Sequence, residues 1–152
     1  MMRVISGGQT GVDRAALDAA QELGLPCGGT VPKGRLAEDG RIPDRYPMSE
    51  SGSEEYPVRT ERNVLDSDAT LILTLGEPTG GTRLTLELAA RHKKPVCVVD
   101  LGGEEPAALA REFVSRVKPE TLNVAGPRES SFPGIGREAK RLILEVLRDA
   151  KP

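Results

Sequence analysis

The chain has 152 residues, with 21 Lys plus Arg against 23 Asp plus Glu. That length suits one well-buried core and is short for two domains, and the near-balance of charge gives no field to favour nucleic acid or an anionic membrane. No apolar run reaches a membrane span, the first strand signal at Arg3 leaves no room for a signal peptide, and Cys27 and Cys97 are too few and too distant for a disulfide framework or zinc cluster. A cytoplasmic protein is expected, without nucleic-acid or membrane partners.

Residues 3–6 read as a short buried strand, followed by the turn Gly7, Gly8, Gln9, Thr10 and Gly11. Val12, Ala15, Ala16, Ala19 and Leu23 then recur at helical spacing, and Gly24 ends the helix. A strand, a glycine turn and a helix in succession aim unpaired amides and a partial positive charge above the strand, where anions bind and phosphate is the usual one. Thr10 is a candidate helix cap with Asp13 in the reciprocal capping position. The turn matches neither the dinucleotide fingerprint nor the P-loop. Arg14 can reach an anion or pair with Asp18 one turn on.

From 26 to 59 the pattern dissolves into Pro, Gly and charge, and so long a stretch points to a functional loop. Within it Lys33 and Arg35 flank Gly34, an arrangement that suits an anion or a solvated surface turn. A short helix is expected over 60–65 and a buried strand over 69–75. Thr79, Gly80, Gly81 and Thr82 then form a second glycine turn before a helix to about 92. A strand at 96–99, a helix marked by Ala110, Phe113, Val114 and Val117, and a strand at 121–124 follow. Gly126, Pro127 and Arg128 make a third turn, in which Arg128 offers a bidentate fork to phosphate or a salt bridge to Glu129. Ile135, Ala139, Leu142, Ile143, Val146 and Leu147 trace the closing helix. Such alternation implies crossover connections: an α/β, Rossmann-like three-layer sandwich with a central, mostly parallel sheet flanked by helices, forming one domain over 1–152. Ligands in such sheets sit outside the carboxyl ends of the strands.

Other side chains say less. Tyr46, Tyr56 and Phe132 fall in loops and either stack on a flat ligand or pin the loops. His92 sits at a helix end, Cys97 mid-strand, and Cys27 beside the long loop. No Ser-His, Cys-His or paired-carboxylate arrangement offers hydrolytic chemistry.

Residues 6–18, 32–35, 38–40, 59–64, 66–70, 80–82 and 122–130, in that order, resemble the molybdenum cofactor carrier proteins, part of a Rossmann-like superfamily that includes the LONELY GUY (lysine-decarboxylase-like) phosphoribohydrolases. The resemblance implies a homo-oligomer, dimer or tetramer, that binds molybdenum cofactor as cargo and passes it to molybdoenzymes without turnover. Gly7, Gly8, Gln9, Thr10, Gly11, Gly80, Gly81 and Thr82 would cradle the anion. Lys33, Arg35 and Arg128 would neutralise it, with Arg14 and Asn63 in support and no protein-ligated metal. The phosphoribohydrolases place a catalytic Glu where this chain has Thr85, and Glu87 lies about 200° around the helix from that position. A binding protein is therefore expected over an enzyme. The alternative is a nucleotide-binding enzyme or sensor, phosphoribohydrolase-like, for a nucleoside monophosphate or ADP-ribose-type ligand.

Overall fold

The architecture rests on five short parallel strands in a computed structural model, in which residues 1–148 are described. The elements in chain order are β1 (Arg3–Ile5), α1 (Val12–Leu23), β2 (Cys27–Gly28), β3 (Thr30–Val31), β4 (Leu36–Ala37), β5 (Gly40–Arg41), β6 (Ser49–Glu50) and α2 (Tyr56–Asp66). There follow β7 (Ala69–Thr74), α3 (Gly80–Arg91), β8 (Val96–Asp100), α4 (Pro106–Val117), β9 (Thr121–Ala125) and α5 (Ile135–Arg148). The main sheet runs β2-β1-β9-β7-β8, and every pairing in it is parallel.

Strand β7 is buried at every position, its Ala69, Leu71, Ile72 and Leu73 together with Thr70 and Thr74, as a strand between two helical layers requires. Leu71 and Leu73 point into the larger core with Leu122, Val124 and the apolar stripes of α1, α4 and α5. The opposite layer is α2 and α3, joined through Val64, Leu88 and Ala89. Along α1 the buried face is mostly alanine, so α5 can approach closely. Its own stripe of Ile135, Leu142, Ile143, Val146 and Leu147 is buried there, at about 1.5–3 kcal/mol per large side chain. Gly24 stops α1 as expected: its φ of 73° is left-handed, and its amide reaches back to the carbonyls of Ala20 and Gln21.

The segment expected to lack regular structure is threaded through the fold. Its β2 pairs with β1, Val4 opposite Cys27. Strands β3 and β6 pair in parallel and β4 and β5 form a small hairpin. Together they close over a second core of Leu17, Val31, Ile42 and Tyr46. Connections step from β1 outward to β2 and from β7 outward to β8 in the other direction, with β9 between β1 and β7. The reversal point, where such sheets open a crevice, therefore lies over the carboxyl ends of β1, β9 and β7.

Candidate functional site

A cleft of about 440 Å³ opens at that reversal point, walled by the turns after β1, β7 and β9 and by the first turn of α2. The turn after β7 supplies its most open surface. Thr79 precedes α3 without a side-chain cap, and its carbonyl accepts from the amides of Thr82 and Arg83. Among the described residues the amides of Gly80 and Gly81 have no acceptor. A Cβ on Gly81 would meet nothing within 4 Å, and no unusual backbone angle demands glycine there. Open space at a bare helix N-terminus suits the close approach of an anion.

The turn after β1 behaves differently, because the protein uses it itself. A Cβ on Gly8 would lie 3.0 Å from Ile42 and Val31, so Gly8 faces the second core; one on Gly11 would strike the Pro127–Glu129 backbone. The amide of Val12 donates to the Pro127 carbonyl at 3.2 Å, and that of Gln9 to the Asp13 carboxylate at 3.4 Å. Gln9 is the residue of this turn that reaches the cleft. Its Oε1 accepts from the amides of Glu38 and Thr10, while Nε2 is buried without a partner.

Between these walls lie Asp13, Arg59, Tyr56 and Arg128. Asp13 is 4 % exposed, and burial pushes its carboxyl up to about 6, against the pull of Arg59 and the amides of Gln9 and Gly126. Arg59 Nη2 stands 3.9 Å from Asp13 Oδ2 and Nη1 donates to Thr60 Oγ1, but the buried Nε has no partner. A Cβ on Gly7 would lie 2.5 Å from Arg59 Nη1, so the glycine makes room for the guanidinium. The guanidinium groups of Arg59 and Arg128 both lie over the Tyr56 ring, at 5.4 and 5.6 Å from its centroid. Phe132, 37 % exposed, closes the rim. The cleft thus combines two guanidinium groups, orphaned buried donors and aromatic surface around one buried carboxyl. Among the described residues no group of three or more His, Cys, Asp or Glu is placed to hold a metal ion.

Of the residues singled out in the sequence, Gln9, Gly80, Gly81, Thr82 and Arg128 line the cleft. Gly7 and Gly11 support it from behind. Thr10 does not cap α1, whose first residue is preceded by Gly11. Its hydroxyl instead donates to Glu38 and accepts from the Glu129 amide, tying three segments together. Arg14 pairs with Asp39 rather than with Asp18, at 2.5 Å, and donates to the Gly8 carbonyl at 3.0 Å. Arg35 is buried and donates to the carbonyls of Ile42, Pro43 and Tyr46, and Asn63 bridges both backbone groups of Thr30. The framework holds Arg35, Asn63 and the two terminal nitrogens of Arg14, while among the described residues the buried Arg14 Nε has no partner. Lys33 stands exposed on the 26–59 segment, outside the cleft lining. Glu129 accepts from the Gly134 and Gly136 amides at the start of α5, which leaves Arg128 to the cleft. Thr85 lines the cleft, its hydroxyl donating to the Gly81 carbonyl, whereas Glu87 is bound to Arg83 outside it.

Sequence reasoning did not place Asp13 or Arg59 in the site, and left Tyr56 and Phe132 open between stacking on a ligand and pinning loops. The available signal was Pro57, a residue suited to a first helical turn, which starts α2 four residues before the expected 60 and sets Tyr56 and Arg59 on one face.

An all-parallel sheet between two helical layers, with its crevice at the reversal point, defines a Rossmann-like α/β protein. More narrowly, the chain belongs to the circularly permutated YpsA SLOG family, whose model matches residues 4–147. It is similar to a crystal structure from Syntrophus aciditrophicus SB, named "Putative molybdenum carrier protein", at 45 % identity and a TM-score of 0.93, over 97 % of this chain and 95 % of that one. The family resemblance read from the motifs is thus supported along almost the whole chain. No curated protein matches it significantly.

Proposed function

We propose that the protein is a carrier or storage protein that holds molybdenum cofactor in the strand-end cleft and releases it unchanged. The observation that carries this reading is the pair of orphaned buried donors, Gln9 Nε2 and Arg59 Nε, beside the bare N-terminus of α3. A buried donor without a partner costs about 1–3 kcal/mol, which an anionic ligand would recover. Molybdenum cofactor, a phosphate-bearing pterin, would place its phosphate at the Gly80–Gly81 amides and lay its flat ring against Tyr56 and Phe132. Gly7, Gly8 and Gly11 set the back wall, Thr82 its floor and Arg128 its outer charge. The name of the crystallographic neighbour supports the same cargo.

Thr85 supports binding over cleavage, because a hydroxyl tied to the Gly81 carbonyl offers no carboxylate to a glycosidic bond. The rest of the reading is a cytoplasmic homo-oligomer, dimer or tetramer, in which the 26–59 segment belongs to the same domain as the sheet and molybdoenzymes are the acceptors. Incubation with purified cofactor, gel filtration and elemental analysis for molybdenum tests it. Stoichiometric retention is expected, with AMP and ADP-ribose neither competing strongly nor being hydrolysed. Turnover of either nucleotide, with no retained cofactor, would replace the carrier by a phosphoribohydrolase-like enzyme.

A further inference from the structure

Asp13 has no evident place in an anion receptor. It is a carboxyl group 4 % exposed and set 3.9 Å from the guanidinium that should greet the ligand. An ionised Asp13 would repel an incoming anion and compete for Arg59. A neutral one would do neither.

We propose that the inner end of the cleft binds a tetrahedral oxyanion together with a proton, the anion seated on Gln9 Nε2, Arg59 Nε and the Gly80 and Gly81 amides and the proton on the Asp13 carboxyl. This inference rests on the cleft being the ligand site and adds what governs its occupancy. Gln9 is 5 % exposed and its Oε1 is held by two amides, so its unpartnered amino group is fixed in the wall. Arg59 is positioned by Thr60 and by the Tyr56 ring, and keeps Nε unused. The groups facing Asp13 come from every neighbouring element: Arg59 on α2, Arg14 on α1 itself, and the amides of Gln9 after β1 and Gly126 after β9. From α3 come the Gly80 and Gly81 amides and the uncharged side chains of Thr82, Leu84 and Thr85, while its charged Arg83 and Glu87 neutralise each other outside.

The linkage has a fixed sign. The burial that raises the Asp13 carboxyl to about 6 leaves it mostly ionised at neutral pH in the empty cleft. A bound anion adds negative charge beside it and drives protonation further up, so binding takes up a proton at neutral pH. Affinity is then flat below about pH 6 and falls above it, by at most tenfold per pH unit for one proton.

Sulfate is the probe, because it stays a dianion throughout the window and its own titration cannot mimic the effect. Calorimetric titration of the intact protein between about pH 5.5 and pH 8, in buffers of differing ionisation enthalpy, reads affinity and proton uptake together. The expected result is weakening of roughly tenfold or more across that range with uptake approaching one proton near pH 7, and Asp13→Asn binding at a pH-independent, acid-like affinity. A flat wild-type profile without proton uptake overturns the proposal, as does an unchanged slope in a folded Asp13→Asn. The wild-type buffer dependence decides the matter should that variant fail to fold. Sulfate binding with proton uptake in a protein that retains no cofactor would keep this inference and remove the carrier reading. Proton-independent sulfate binding alongside retained cofactor would do the reverse.

Discussion

Burial sets the Asp13 carboxyl near 6 against an ordinary value of 3.8, and the same shift acts on folding. Between those values the native state binds more protons than the unfolded chain, so stability falls as pH rises through the window, by up to about 3 kcal/mol in all. Asp13→Asn should therefore stabilise the protein toward that amount near neutral pH and change little near pH 4, as urea unfolding at the two pH values would show. Gly81 gives a second prediction at this scale. With helical backbone and open space around it, Gly81→Ala should leave stability unchanged or raise it by about 0.5 kcal/mol. The added methyl group should nonetheless weaken sulfate binding roughly tenfold, by holding the anion off the α3 amides. Unchanged affinity in Gly81→Ala would move the anion elsewhere.

Among the elements, the segment between α1 and α2 best shows what a single sequence reveals. Its strands are two residues long, so no alternation of apolar and polar residues announces them. They are held by side chains reaching back to backbone, Arg35 to three carbonyls and Asn63 to Thr30, and by the Tyr46 hydroxyl donating to the Asp18 carboxylate. These are the residue types that sequence reading assigns to ligands, and nothing in spacing separates an Arg that binds phosphate from one that ties down carbonyls. Arg35→Ala should cost about 2–4 kcal/mol, since three carbonyls, two of them buried, lose a charged donor. Hydrogen exchange should locate the loss in residues 29–50 while the five-stranded sheet stays protected. The helices were far more legible, because Ala15, Ala16 and Ala19 or Leu142, Val146 and Leu147 repeat with the turn of a helix. Only α2 was misjudged at its start, and with it went Arg59 and its place beside Tyr56 on one helical face.

At the scale of the molecule, β-α alternation was enough to read the parallel sheet and to anticipate a crevice at the strand ends. What it could not show was which glycines serve the ligand. Gly8 and Gly11 accommodate the protein's own Ile42 and Glu129, whereas Gly81 accommodates nothing of the chain. That difference lies in tertiary neighbours and leaves no mark on a Gly-Gly pair. Arg128, stacked over Tyr56 at the mouth, should be replaceable by Ala with less than about 1 kcal/mol lost, yet with several-fold weaker retention of molybdenum cofactor. Thermal unfolding and gel-filtration retention, measured on the same preparation, separate the two effects.

The position of β9 also governs when the protein comes into being on the ribosome. It is the fifth strand of the main sheet to be synthesised, yet it lies at the centre, pairing Arg3 with Thr121 on one side and Ala69 with Leu122 on the other. A nascent chain that has not yet extruded residue 125 holds two half-sheets with open inner edges and an incomplete pocket. The strand-end cleft is therefore complete only after this last strand has slotted home, and until then the exposed edges of β1 and β7 invite pairing with neighbouring nascent chains.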